Sequence, residues 1–504
     1  MNDFLSALSM VSDPLAIAAV IAGSIIGIIF GSVPGLTFTM ALSLVLPLTF
    51  GMPPNVAICL LLSTYIGGMT GGSISAILIG IPGTPSAAAT VFDGLALARR
   101  GQAGLALGYA VIASGFGSIF SLVIMAVAVD FISQAAIHFG PVELFALVLF
   151  GMSLICGLSE GSILRGVIAG VIGLMIMTVG LDDLDGVARF TFGSTQLLQG
   201  VNLVVAMVGL FAVPHLIQSL VDYRLGRTPE ANANDVKTQL PRLSVLRKNL
   251  GLMIRSSSLG TIIGAIPGTG GPIAAFVAYD QAKRFSKDQS KFGKGEPGGI
   301  LAPESANNAV TGGAIIPLLS LGIPGDPATA IMLGGLLIHG VIPGPSLFVE
   351  NKPLVYLIYL AFFFGTVAVV ITQTFGIRLF VKVLKLKPHL LMIAIMVMCV
   401  VGTFAIRNSF FDVYTMVIVG LIGYLLTVAK IPIAPVVLGI VLGPTLEKQF
   451  RTALILTEND YSTFFSSPLA VSLYILAVVF MGFQIYSNAK QKSSLTPPIP
   501  SAKT

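Results

Sequence analysis

Charge is what this 504-residue chain has least of. Asp, Glu, Lys and Arg make up 10% of it against 55% hydrophobic residues, and the mean hydropathy is +0.93. Water-soluble domains carry roughly 25% charged residues, so this chain has too little polar surface to cover a globule, and a soluble enzyme is excluded. Cysteine is scarce as well. Cys59, Cys156 and Cys399 lie singly in apolar stretches, and the four histidines form no metal-ligand spacing, which argues against disulfides and structural zinc. Tryptophan is absent, so any interfacial aromatic belt falls to the 11 Tyr and some of the 31 Phe. No GxxxxGKS/T loop exists to cradle a nucleotide: GAIPGTGG lacks the lysine, and GKGEPGG lacks the strand and helix around it. The net charge of +6 does not point to nucleic acid, because the basic residues sit in short loops between apolar runs.

Those runs are what the chain is made of. A bilayer crossing takes about 20 apolar residues, and runs near that length or shorter fall at 15–33, 36–50, 55–80, 104–129, 141–157, 161–180 and 199–218. After a polar stretch they resume at 256–280, 305–340, 354–378, 390–406, 413–446 and 468–487. No Lys or Arg precedes the first run, which therefore reads as a retained span and not a cleaved leader. The expected fold class is an all-α polytopic membrane protein.

The two series are copies. GSVPG at Gly31 to Gly35 returns as GAIPG at Gly264 to Gly268, and GIPGTP at Gly80 to Pro85 returns as GIPGDP at Gly322 to Pro327. Between them, Thr70-Gly71-Gly72 returns as Thr311-Gly312-Gly313, with one residue of slippage before the next motif. The loops carry opposite charge. In the first copy the loop between motifs, Phe50 to Asn55, is uncharged and the one after them holds Arg99 and Arg100; in the second the inner loop holds Lys283, Arg284, Lys287, Lys291 and Lys294, and the outer one Glu350 beside Lys352. By the positive-inside rule the copies enter the membrane from opposite sides, as in inverted-topology transporters. The expected division is a first repeat at 1–220, a cytoplasmic linker at 221–250, a second repeat at 251–488 and a disordered cytoplasmic tail at 489–504.

Pro and Gly inside an apolar run break the helix at membrane depth, and the freed N–H and C=O groups need protein, water or ligand partners. A binding cavity supplies such partners. Helix N-termini suit a carboxylate, while freed carbonyls and side-chain oxygens suit a small cation. Thr37, Thr70, Ser73, Thr84 and Ser86 decorate the first set of breaks, and Thr269, Asn307, Asn308, Thr311 and Asp326 the second. The run Ala302 to Asn308 adds one carboxylate, Glu304, and two amides; its bland alternative is a helix start at the interface. Asp93 reads as either an embedded acid or a solvated one, and Arg165 and Arg255 as snorkelling side chains outside the site. A passive channel and an intramembrane aspartyl protease built on Asp280 and Asp326 are the alternatives to transport. The protease reading is weakened by the basic residues beside Asp280 and by Ile323 where a GxGD pattern needs Gly.

GSVPGLT, TGGSISAILIGIPGTPSAA, GAIPGTGG, APESANNAVTGG and PLLSLGIPGDPATA, in this order, resemble the large membrane subunit of tripartite tricarboxylate transporters, the TctA type. The resemblance implies a bacterial inner-membrane secondary transporter of about twelve spans. It also implies a small membrane subunit, a periplasmic substrate-binding protein, and a sodium or proton gradient, sodium being preferred here. No cofactor and no structural metal are expected. Carried onto this chain, it places a di- or tricarboxylate near Gly35, Gly83, Gly268 and Gly325 with help from Thr37, Ser73, Thr84, Thr269 and Asn307. The coupling ion is expected at Thr70, Asn308, Thr311 and Asp326. The substrate itself is not legible in the sequence.

Overall fold

The structure, a computed structural model, describes residues 2–136, 139–153, 163–182, 184–225, 236–266, 270–384 and 388–494. In chain order the helices are α1 (Asn2–Val11), α2 (Pro14–Ser32), α3 (Phe38–Leu48), α4 (Pro54–Leu78), α5 (Val91–Arg99), α6 (Ala103–Ala136), α7 (Pro141–Ser153), α8 (Ile163–Met177) and α9 (Leu203–Arg224). They continue with α10 (Leu243–Ala265), α11 (Gly270–Arg284), α12 (Gly298–Leu321), α13 (Pro327–Ile338), α14 (Leu347–Glu350), α15 (Lys352–Leu384), α16 (Pro388–Arg407), α17 (Phe410–Val428), α18 (Ile433–Leu456) and α19 (Pro468–Ser494). Among the described residues the one sheet is a two-residue pairing of Gly180–Leu181 with Ala188–Arg189. The all-α polytopic class expected from the sequence is what forms.

Seven described helices are long and apolar enough to cross a membrane, α2, α4, α6, α9, α15, α17 and α18 among them in whole or part. Others are too short. With 11 and 12 residues, α3 and α13 reach only about 17 and 18 Å, against a hydrocarbon core of about 30 Å. The Pro-Gly motifs set these ends. Helix α2 stops at Ser32, just before Val33-Pro34-Gly35, and Gly35 turns the chain at φ +90°. Helix α12 stops at Gly322, which adopts the left-handed conformation; its N–H and that of Ile323 return to the carbonyls of Leu318 and Pro317.

The two copies pack in the same way. A Cβ on Gly27 or Gly31 of α2 would overlap the carbonyl oxygen of Thr64 or Gly68 on α4, and one on Gly260 or Gly264 of α10 would overlap that of Ala306 or Val310 on α12. Such backbone-to-backbone approach needs glycine. Gly27 to Gly260 and Gly31 to Gly264 are each 233 residues apart; Thr64 to Ala306, Gly68 to Val310 and Gly80 to Gly322 are each 242 apart. Gly71 meets Ile28 as Gly313 meets Thr261, with these same two offsets. The packing therefore equates Gly71 with Gly313, and the slippage seen when TGG is matched by letter disappears.

Helices α4 and α12 cross antiparallel. Ile58, Leu61 and Leu62 share a small packing gap with Ile315, Leu318 and Leu319, whereas Met69 and Thr70 bond to Asn307 and Asn308. The helices that the repeated motifs equate therefore run in opposite senses. The long helices are exchanged: Gly117 of α6 lies on Ser305 of α12, and Gly365 of α15 lies on Ser63 of α4. At one end of α4, Pro54 and Asn55 share a cavity of 710 Å³ with Asp13, His339, Glu350 and Asn351. At the other, Asp93 and Leu97 meet the 293–296 loop. The uncharged and acidic loops thus gather at one end and the basic loops at the other.

These elements belong to one compact unit, Met1–His138 with Val201–Leu425; Phe139–Gly200 and Leu426–Thr504 form a second. In the second unit, Gly173 of α8 abuts Val436 of α18, and Phe145, Phe450 and Phe464 pack around Ala453 and Leu454. Its 180–189 hairpin is clamped by charge: Asp182 lies 2.7 Å from Arg451 and 3.2 Å from Arg189, Glu447 lies 2.8 Å from Arg189, and Asp185 pairs with Arg451. Compact units and sequence repeats thus divide the chain differently. Within the polar stretch 221–250, α10 begins at Leu243, and α19 runs through Ser494.

Candidate functional site

The run Ala302 to Asn308 is no interfacial helix start. It lies inside α12 on a segment buried throughout, with Glu304, Ser305, Asn307 and Asn308 at 0% exposure. Polar groups so placed need partners; Glu304 and Asn308 find them on the other repeat, whereas Ser305 Oγ has none among the described residues. Thr70 Oγ1 donates to Asn308 Oδ1 at 2.7 Å; Asn308 Nδ2 donates to Ser114 Oγ at 2.8 Å and to its own helix at Glu304 O, 3.0 Å. Ser114 Oγ lies 3.3 Å from Glu304 Oε2, and Thr90 Oγ1 lies 2.5 Å from Glu304 Oε1. Thr90 stands at the N-cap of α5 and makes no cap bond there, forgoing about 1 kcal/mol of helix stability. One hydrogen-bonded chain thus joins α4, α12, α6 and the segment after GIPGTP.

Asn307 faces the broken ends. Its Nδ2 donates to the Met69 carbonyl at 3.2 Å, which fixes the amide, since the flipped form sets two carbonyl oxygens together. The opposite atom, Oδ1, is buried with no hydrogen-bond partner among the described residues. A Cβ on Gly271 would stand 2.7 Å from that oxygen, 2.9 Å from Ser86 Cβ and 3.0 Å from Met69 Cε. The absence of a side chain at Gly271 lets these groups converge. Leaving a buried amide oxygen unpaired costs about 1–3 kcal/mol, which a bound donor or cation removes. Helix α11 begins beside it at Gly270, and the first N–H groups of a helix lack intrahelical acceptors.

The two GIPG tips differ in charge at equivalent positions. Thr84 precedes its short turn with the hydroxyl 3.1 Å from Ser86 Oγ, and Gly83 N–H donates to Gly72 O. Asp326 instead caps α13: its Oδ1 accepts from Thr329 N–H at 2.7 Å, and its Oδ2 accepts from Tyr65 OH of α4 at 2.5 Å. That carboxylate occupies the N-terminus of α13, so the neighbouring Gly325 tip has no free anion site, whereas the Thr84 tip carries no charge.

The remaining expected residues fall as follows. Ser73 donates to Thr70 O at 2.8 Å and lies 3.5 Å from Gln373 Nε2 of α15; Thr311 donates to Asn308 O. Gly325 packs on Ala314. Thr37 caps α3 by accepting from Met40 N–H at 3.1 Å. Gly35 is exposed with nothing within 4 Å of the place a Cβ would take, so it stands apart from the buried network. Gly268 and Thr269 lie outside the described residues. Asp93 is buried and structural: it accepts from Tyr279 OH and from the N–H groups of Gly293, Gly295 and Glu296. Asp280 pairs with Arg284 on an exposed face while Asp326 is buried against Tyr65, so no protease dyad forms. Tyr65, Thr90, Ser114 and Gln373 were missed in the sequence. Each lies in a largely apolar stretch, and the signal was that an uncompensated polar group at membrane depth needs a reason.

The family model for the tripartite tricarboxylate transporter TctA family matches residues 17–438. The chain belongs to that family. Every residue of the buried network lies inside the matched region. Two proteins of Agrobacterium vitis are similar to this TctA chain. One is described as the uncharacterized 52.8 kDa protein in TAR-I ttuC' 3'region and is 34% identical over 496 residues, 98% of either chain. The other, described as the uncharacterized protein in TAR-II ttuC' 3'region, is 36% identical over 233 residues, 46% of this chain and 96% of its own. No solved structure matches. As a TctA protein the chain is a multi-pass membrane component of a tripartite transport system, and such a system implies partner subunits.

Proposed function

We propose that the chain is the ion-coupled carrier subunit that imports organic di- or tricarboxylates across the bacterial inner membrane. A periplasmic binding protein delivers the substrate, and a small membrane subunit completes the assembly. Residues 1–220 and 251–488 serve as the inverted repeats, with the basic loops cytoplasmic. The reading is carried by the unpartnered Oδ1 of Asn307, a buried acceptor at the meeting of the Thr84 tip and the start of α11. One substrate carboxylate takes the free N–H groups of α11 and those near Gly83. Thr84, Ser86 and the Asn307 amide add bonds to the substrate's remaining oxygens and hydroxyl. No fixed cation is required. The ion side is the hydrogen-bonded chain around Asn308, which includes Thr70, Thr311, Ser114 and Glu304, with Asp326 and Tyr65 latching the second tip to the first repeat. Movement of the two tips against the long α6 and α15 then opens the pocket to each side in turn.

The test is uptake into vesicles that hold the chain with its partner subunits, scanned over citrate and other carboxylates under imposed sodium or proton gradients. Accumulation that needs a gradient and persists without ATP is the expected result. Uptake that only equilibrates the substrate, whatever the gradient, favours a passive channel and overturns the carrier reading.

A further inference from the structure

We propose that Glu304 is the group that carries the coupling proton. The proposal rests on the carrier reading above and goes beyond it by choosing the ion and the atom that holds it. Among the described residues Glu304 has no ion-pair partner, although it is fully buried. A buried carboxylate without a cation must bring a positive charge with it, and a proton is the smallest one.

Of the four buried acids described in this unit, Asp412 is paired with Arg407, and the other three separate by the kind of donor around them. Asp93 accepts from three backbone N–H groups, which cannot turn and accept in their place, so its surroundings suit only the ionised form. Asp326 is likewise committed, to Thr329 N–H. Asp93 and Asp326 meet hydroxyls as well, from Tyr279, Tyr65 and Thr329, but among the described residues Glu304 is met by hydroxyls without a backbone N–H: Thr90 at 2.5 Å and Ser114 at 3.3 Å. A hydroxyl both donates and accepts. With Glu304 ionised, both hydroxyls point at it; with Glu304 protonated, its O–H donates to Thr90 and the Thr90 hydrogen turns away. Either state is satisfied without moving the backbone. A dehydrated metal cation needs several converging oxygens, whereas a proton needs only the one carboxylate oxygen that takes it.

The position links charge to substrate. Glu304, Asn307 and Asn308 share one face of α12, three and four residues apart. Thr90 follows directly on the tip that holds Thr84 and Ser86, and it has given up its helix cap to bond Glu304. A change at Glu304 is therefore felt at the substrate tip. The other titratable groups nearby are engaged elsewhere. Asp93 of α5 lies beside Gly299 and is held by Tyr279 of α11. Tyr109 of α6 is near Glu296, Arg255 of α10 stacks over Phe285, and Tyr65 of α4 bonds Asp326. In the step itself the carboxylate takes H+ from water on the open side, its lone pair forming the O–H bond. On release the O–H bond breaks, the electron pair stays on the carboxylate, and the proton leaves to water on the other side.

Glu304→Gln in vesicles with the partner subunits is the test, because Gln copies the shape of the protonated side chain. The expected result is loss of accumulation driven by a pH gradient, with substrate exchange retained and no longer dependent on external pH. Accumulation equal to that of the unaltered protein overturns the proposal, as does accumulation that follows sodium alone. Thr90→Val and Ser114→Ala guard against a Gln variant that fails to fold. Removing donors to the carboxylate strengthens its hold on the proton, so the uptake profile moves to higher pH; an unmoved profile in both counts against the proposal. Infrared spectra of the purified protein report on Glu304 independently of transport. A protonated carboxyl band that vanishes in Glu304→Gln supports the assignment, and its absence across the working pH range refutes it. If the unaltered protein moves no carboxylate under any gradient, the carrier reading fails while the infrared result still decides the state of Glu304.

Discussion

Asn307 and Tyr65 make the same kind of demand at equivalent positions, 242 residues apart: each places a polar group from one repeat against the broken segment or helix of the other. Tyr65→Phe keeps the ring and removes one hydrogen bond to a carboxylate, worth about 1.5–3 kcal/mol. Faster amide exchange over 323–329 with the rest of the protein unchanged is the expected result. Asn307→Ala removes the acceptor at the tips and is expected to weaken binding of a hydroxyl-bearing carboxylate such as citrate by about tenfold, the equivalent of one hydrogen bond of roughly 1.4 kcal/mol, with less effect on a carboxylate that has no hydroxyl and with normal amounts of protein in the membrane. A third expectation concerns Asp182, outside the spans. The N–H groups of Asp185 and Leu184, then Arg451 and Arg189, hold its carboxyl down to about 2 from the ordinary 3.8. A group depressed in this way stabilises the fold fully above its unfolded value and loses that contribution as pH falls toward 2. The difference in unfolding temperature between the protein and Asp182→Asn should be constant from neutral pH to about 5 and shrink below 4; a constant difference throughout contradicts the clamp. Residues were legible where polarity broke an apolar run conspicuously, as at Asn307, Asn308 and Asp326. Thr90 and Ser114 were not, because a threonine ahead of a helix ordinarily caps it and a serine within one ordinarily bonds the carbonyl one turn back, and only the fold shows theirs turned to Glu304.

Among the elements, the short helices α3, α5 and α13 have glycine or proline at or near their ends, and the pairs α2 with α4 and α10 with α12 owe their closeness to glycine. Gly27→Val and Gly260→Val force side chains into the carbonyls of Thr64 and Ala306, and overpacking of this kind costs about 1–3 kcal/mol or more. Both variants should unfold at lower temperature in detergent. Gly251→Ala on α10, where a Cβ would meet nothing within 4 Å, is the contrast: it should leave unfolding unchanged or raise it by the helix preference for alanine. The breaks were legible because Pro and Gly act locally. The register between repeats was not fully so, since matching TGG by letter set Thr70 against Thr311, whereas backbone contact sets Gly71 against Gly313.

For the whole molecule, composition gave the class, because it is a sum over many residues, and loop charge is the basis of the proposed inversion. The grouping of α7 and α8 with α18 and α19 escaped the sequence, as it depends on contacts between distant segments that carry no local mark. Single cysteines at Asn55 and Lys287, in a background without Cys59, Cys156 and Cys399, should react with an impermeant thiol reagent from opposite faces of the membrane; labelling from one face alone contradicts the inverted repeat. The central claim is that the broken segments of both repeats enclose one carboxylate pocket at Asn307 and Ser86. Ser86→Cys in the same background, assembled with the partner subunits and treated with a small permeant thiol reagent, tests it directly. A transported carboxylate should slow modification in proportion to its occupancy, and a carboxylate that is not transported should leave it unchanged. Modification at one rate whether or not transported substrate is present would mean that the pocket lies elsewhere.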